Sequence, residues 1–373
     1  ASAWMPACAS RQGTCCAGSG SECVSSVYLT ESAIMRKFIC LLFTTLFVFI
    51  TLQPLQAADK PEKIRIGYLS LVNGQLISKY LQLHEKEMGI PIEWFRFNSG
   101  RDVNTAMASN SLDFGNVGLP PAAIGLAGDI DYWGIMNANV LGKVESLVVR
   151  KDINSLKDLE GKTVVAPFGS TTHYLLIKAL RDAKVDMSKI KIMDMAPGEA
   201  LAPFIRGDID AAYIWEPSLG LVVQHGGKIL LTSEQMAQQG YLTWDVISVQ
   251  PAFAKKYPEL VTKFIKSELA AMDYWREHPE EAAKIIAKEL GGISIDDAKR
   301  MMVGTRLIGL EEQLSPSFLG TSAQKGQSAK DIVDVAAFLL EQGRIKNSVS
   351  QKKAEDFLHP EFLEALRDGK TVK

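Results

Sequence analysis

Thr163-Val164-Val165-Ala166-Pro167-Phe168-Gly169-Ser170-Thr171-Thr172-His173-Tyr174 reads as a strand, a turn and the start of a helix. The apolar run ends at Pro167, and Pro and Gly punctuate the turn. Helical periodicity then runs over 171–183. The same alternation extends both ways. Downstream come a strand over 190–193, a helix over 199–206, the strand Ala211–Trp215 and a helix opened by Pro217. Upstream, Ile64, Ile66 and Tyr68 alternate in a strand over 63–69, and a helix over 75–88 stops at Gly89. Then follow the strand Ile92–Phe97, a helix over 102–109, a strand over 112–117, a helix opened by Pro120 and Pro121, and a strand over 132–136. From Pro258 the pattern is mostly helical, amphipathic through Leu290 and again over 329–342.

This alternation predicts an α/β fold with mostly parallel sheets. Strands over 145–150 and 244–249 flank the inner block, one going out and one coming back. Two crossings between two lobes suit a hinged clamp around a cleft. The expected division is 58–147 plus 246–373 for one lobe and 148–245 for the other.

Residues 35–57 carry a second signal. Arg36 and Lys37 precede an apolar core that runs from Phe38 to Leu52, too short for a comfortable membrane span. Pro54 breaks it, and Ala57 and Ala58 offer small side chains for cleavage. The expectation is a secretory signal peptide, export to the periplasm and a mature chain from Ala58. Residues 1–34 are rich in Ser, Ala, Gly and Cys without helix or strand period, and are expected to be a non-native or mis-set extension. All five cysteines (Cys8, Cys15, Cys16, Cys23 and Cys40) precede Ala58. The segment from Ala58 on therefore has no disulfide, thiolate ligand or cysteine nucleophile.

The chain carries a net charge of −2, and the part after residue 57 is mildly acidic. That balance argues against nucleic acid as a partner. Its five histidines form no close metal-ligand pair, and no HExxH, Walker-A, GxGxxG or GxSxG pattern occurs in a fitting context. No cofactor is expected.

Three turns and three carboxylates are the candidates for a site. Ser170, Thr171 and Thr172 can cap a helix, and its free N–H groups and dipole make an anion seat; plain capping accounts for them equally well. His173 alone reads more readily as a structural hydrogen-bonder. Phe97-Asn98-Ser99-Gly100-Arg101 also joins strand to helix, and Gly118 would let backbone approach a small ligand. Asp245 lies on the returning strand, Glu145 begins the outgoing one, and Glu216 follows the strand end at Trp215. A hinge carboxylate would reward closure around an ammonium group. For Glu145 and Glu216 a solvated or inter-lobe ion pair is the plainer reading, and core packing is the plainer one for Trp215.

Together these residues resemble the periplasmic taurine-binding proteins of ABC transporters, within the wider nitrate, sulfonate and bicarbonate binding group. The resemblance covers about 64–342. It rests on Phe97-Asn98-Ser99-Gly100, Met107-Ala108-Ser109, Gly115-Asn116-Val117-Gly118, Pro167-Phe168 with Ser170-Thr171-Thr172-His173-Tyr174, Arg206 through Trp215, and Leu231-Thr232-Ser233-Glu234-Gln235. It implies a two-lobed type II periplasmic-binding-protein fold with two hinge crossings. It further implies that Asp245 faces the amine, and that Gly118 and the Ser170–His173 turn face the sulfonate. Two departures stand out: Leu119 and Pro120 replace small hydroxyl residues, and Glu216 stands where a close relative has alanine.

The expected function is capture of taurine and its delivery to a membrane permease and its ATPase by a monomeric, non-catalytic protein. A general alkanesulfonate or small-anion receptor is the alternative. An enzyme of the thiamine-pyrimidine type is less expected, since those relatives rely on a cysteine cluster. The candidate ligand-binding residues are Ser99, Gly118, Ser170, Thr171, Thr172, His173, Trp215, Glu216, Asp245 and Glu145.

Overall fold

Among the described residues, eleven strands sort into two sheets: β1 Ile64–Leu69, β2 Ile92–Phe97, β3 Phe114–Gly118, β4 Trp133–Leu141, β5 Glu145–Val149, β6 Thr163–Ala166, β7 Lys191–Asp194, β8 Ala211–Trp215, β9 Lys228–Thr232, β10 Trp244–Val249 and β11 Thr305–Arg306. The computed structural model describes residues 60–370 and Val372. The expected signal peptide and the extension before it lie outside the described residues. Among these residues no helix is long and apolar enough to cross a membrane.

The first sheet has the order β11-β4-β10-β3-β1-β2 and the second β7-β6-β8-β5-β9. Both are flanked by helices, the α/β arrangement the alternation predicts. The chain leaves the first sheet after β4 and enters the second with β5. It returns between the helix Ser233–Gln238 and β10. β5 belongs wholly to the second sheet and β10 wholly to the first, so the crossings fall at 142–144 and 239–243.

The pairing is mixed rather than mostly parallel. β1–β2, β1–β3, β6–β7 and β6–β8 are parallel. β10 runs antiparallel to β3 and β4, β5 runs antiparallel to β8 and β9, and β11 runs antiparallel to β4. The cause is the crossing itself. A strand arriving from the other sheet needs no helical crossover, so it can run antiparallel to both of its neighbours.

Local chemistry explains most boundaries. Ser99 and Ser170 cap helices Gly100–Ala108 and Thr171–Asp182, accepting from the N–H groups of Asp102 and His173. The helix expected over 75–88 is two helices, Gly74–Tyr80 and Leu83–Met88. Gln82 between them is left-handed (φ 54), and the break turns His84 inward to Glu268, at 2.7 Å. The helical run expected through Leu290 breaks at His278, because Pro279 has no N–H to continue the ladder. β9 lacks a clean alternation and has no counterpart in the sequence reading. β4 runs five residues further than expected because Asn137 and Asn139 interrupt the apolar run.

Candidate functional site

The two strands beside the crossings carry the site by register alone. In the first sheet Asp245 on β10 sits between Gly118 of β3 and Asn139 of β4. In the second sheet Glu145 on β5 pairs with Trp215 of β8. Side chains alternate across a strand. Glu145 therefore faces a small cavity of ≈ 40 Å³, while Val144 and Ser146 face a separate cavity of ≈ 620 Å³. The small cavity is also lined by Asp245, Gly118, Ser99, Ser170, Thr171 and Trp215.

Three helix N-termini meet there. Ser99, Gly118 and Ser170 are the N-cap residues of Gly100–Ala108, Leu119–Ala127 and Thr171–Asp182, and all three line the cavity. Unsatisfied N–H groups and the helix dipole favour negative charge at such ends. At the middle one Pro120 and Pro121 lack N–H groups, which leaves Leu119 as the donor nearest the cap. Close approach demands two glycines. A Cβ on Gly100 would stand 2.7 Å from Pro121 Cγ, and one on Gly118 would stand 3.3 Å from Asp245 Oδ1 and 3.4 Å from Thr171 Cγ2.

Opposite charge is missing from this cavity. Asp245 and Glu145 are each 3% exposed, and among the described residues lining the cavity none is Lys, Arg or His. Asp245 Oδ2 accepts from Asn139 Nδ2 at 3.2 Å. Glu145 Oε1 accepts from Thr171 Oγ1 at 2.6 Å, and Oε2 accepts from Ser233 Oγ at 3.4 Å. Burial pushes the Asp245 carboxyl up to about 7, against the Asn139 hydrogen bond. Burial pushes Glu145 up to about 8, the negative charge of Asp245 adds to it, and the two hydroxyls oppose it. Such a pair, one carboxylate from each sheet, is complementary in charge to a cation.

Three of the expected residues point elsewhere. Thr172 is fully buried, with its hydroxyl 2.9 Å from Ser170 Oγ. The His173 ring packs beside Phe168 and Phe338, and burial together with the Arg344 charge pushes it down to about 4, so it is neutral. Glu216 is one residue past Trp215 and so faces the other way. It accepts from Gly220 N–H at 2.8 Å, pairs with Arg300 and lines the larger cavity. Asn139, which donates to Asp245, has no counterpart in the sequence reading, and Ser233, which donates to Glu145, entered it only within the Leu231–Gln235 resemblance. The available signal for Asn139 was two asparagines in an otherwise apolar strand.

The NMT1/THI5-like family model matches residues 86–282. The chain belongs to that family. It is 35% identical over 289 residues to the taurine-binding periplasmic protein of Escherichia coli K12, which covers 76% of this chain and 87% of that one. A putative aliphatic sulfonates-binding protein of Bacillus subtilis 168 is 32% identical over 233 residues, 60% of this chain and 68% of its own. Among solved structures, the fold is similar to the alkanesulfonate-binding protein SsuA of Xanthomonas axonopodis pv. citri bound to MOPS. That match has a TM-score of 0.67 at 21% identity and covers 81% of this chain and 99% of that one. The family is thus one of two-lobed type II binding folds. The desulfurization enzyme DSZB shares the architecture at 14% identity and a TM-score of 0.59, so the fold alone does not separate binding from catalysis.

Proposed function

We propose that this protein captures taurine between its two lobes in the periplasm and hands it to an ABC permease for import. The observation that carries the reading is the pair Asp245 and Glu145, buried, close enough for the Asp245 charge to raise the proton affinity of Glu145, and without a cationic side chain in their cavity. A ligand ammonium between them would neutralise both. The helix ends at Ser99, Gly118 and Ser170 supply donors for a sulfonate across the same small space. A zwitterion two carbons long meets both requirements at once.

Export through a cleaved signal peptide, a permease and ATPase as partners, and a monomeric non-catalytic protein complete the proposal. The periplasmic names of the relatives support it. Closure about the crossings at 142–144 and 239–243 would shift an open–closed equilibrium toward the form the permease accepts. Thr172, His173 and Glu216 then act as supports rather than contacts.

The second reading, a general alkanesulfonate receptor, draws on relatives named for aliphatic sulfonates. Calorimetric titration with taurine, ethanesulfonate and β-alanine separates the two. Binding of taurine alone supports the proposal. Comparable binding of ethanesulfonate favours the second reading and removes the ammonium role of the carboxylates. No binding of any of the three sinks both.

A further inference from the structure

A second space of ≈ 380 Å³ shares the lining residues Asn98, Ser99 and Trp215 with the small cavity. Arg101 lies at the outer edge of that space, its side chain 64% exposed. Glu145 and Asp245, beside the crossings, are buried, whereas Arg101 is exposed. Arg101 follows β2 of the first sheet, yet its guanidinium donates to the carbonyl oxygen of Phe168, after β6 of the second sheet, at 2.7 Å. Asp194, at the end of β7, stands 3.6 Å from the same guanidinium and accepts from Phe168 N–H at 2.8 Å. A second arginine, Arg344, lies over the Phe168 ring, 4.1 Å from its centroid. The gripped loop leads directly into Ser170, the N-cap of the helix that faces the cavity.

We infer that Arg101 is a positioning residue for capture: a clasp across the mouth of the cleft that holds the lobes shut over the ligand without touching it. The inference rests on the two-lobed capture mechanism proposed above. The argument is geometric. A contact that joins loops of the two sheets, separate from the crossings, breaks when the lobes part. Its free energy therefore counts only toward the closed form, and it slows escape equally for every ligand that closes the lobes. A hydrogen bond from an exposed guanidinium to a carbonyl is modest, so the effect is a few-fold rather than absolute. The Arg344 contact with the Phe168 ring adds to it.

The test is stopped-flow dissociation of taurine from the wild-type chain and from Arg101→Ala, with melting temperature as the control. The expected result is dissociation roughly five-fold faster in Arg101→Ala at an unchanged melting temperature. Asp194→Asn, which removes the carboxylate charge shared by the Arg101 guanidinium and Phe168 N–H, moves the rate in the same direction. Equal dissociation rates in wild type and Arg101→Ala overturn the clasp and leave the taurine reading standing. If the wild-type chain binds no taurine, that reading fails instead, and small-angle scattering of the ligand-free proteins decides the clasp. A larger radius of gyration in Arg101→Ala supports it, and superimposable profiles overturn it.

Discussion

Asp245 and Glu145 hold their protons more tightly in the folded protein than an unfolded carboxyl does, because burial penalises their charged forms. The sign of the resulting pH dependence follows. Between the unfolded carboxyl range near pH 4 and the folded values of about 7 and about 8, the folded state binds more protons than the unfolded one. Ligand-free stability is therefore greatest at mildly acidic pH and falls as pH rises through that window, which chemical denaturation at a series of pH values measures. Taurine affinity moves the opposite way. An ammonium group binds the ionised pair, so binding releases protons and tightens from about pH 5.5 to about pH 8. Titrations in buffers of different ionisation enthalpy count those protons, and zero release would contradict the account. Gly118→Ala places a methyl group against Asp245 Oδ1 and Thr171 Cγ2. It is expected to weaken taurine binding at least tenfold, with roughly 1 kcal/mol or less lost in stability, because the methyl group fills ligand space rather than core. At this scale the sequence was readable where a residue's position followed from a turn or a strand end, as for Ser170 and Asp245, which the fold brings to one cavity. At Glu216 the plainer expectation, an ion pair, is the arrangement found: its side chain pairs with Arg300 away from the small cavity. Asn139 was missed because its importance lies in a pairing between strands far apart in the chain.

Helix starts and crossing strands decide the site at the level of elements. Ser170 caps the helix Thr171–Asp182 and also lines the cavity. Replacing it with alanine is expected to cost about 1 kcal/mol of stability, read by denaturant titration, together with a loss of sulfonate affinity. A stability loss with unchanged affinity would make it a cap only. Gly100 stands where any Cβ meets Pro121 at 2.7 Å, so Gly100→Ala forces two helix starts apart. Both melting temperature and affinity should fall, and an unchanged protein would show that the two starts are independently placed. Most strands and helices were legible because apolar residues recur with the right period. The helix break at Gln82 was not, since its cause is a tertiary one, the contact between His84 and Glu268. The antiparallel entry of β5 and β10 was not legible either, because period reveals a strand but not its neighbours.

Considered as a whole, the molecule is two sheets joined by two short crossings, each crossing ending one or two residues from a buried carboxylate. That placement links ligand charge to lobe position, since a cation seated between Asp245 and Glu145 touches both lobes at once. Ligand that binds only the closed, folded form also stabilises it. Taurine at about a hundred times its dissociation constant should add roughly 2.7 kcal/mol, visible as a rise in melting temperature that is larger at neutral than at acidic pH. The two-lobed plan was legible because the strand–helix pattern restarts after Lys151 and ends before Trp244. Where the crossings fall to the residue was not, because strand membership is a property of the sheet. The central claim is that Asp245 and Glu145 together receive an ammonium group, and the most direct test is calorimetry of taurine and ethanesulfonate on the wild-type protein and Asp245→Asn. The account predicts that Asp245→Asn weakens taurine on the order of 100-fold and leaves ethanesulfonate nearly unchanged, because truncating one member of a buried charged contact strands its partner. Equal weakening of both ligands, or taurine binding that survives the substitution, would contradict it.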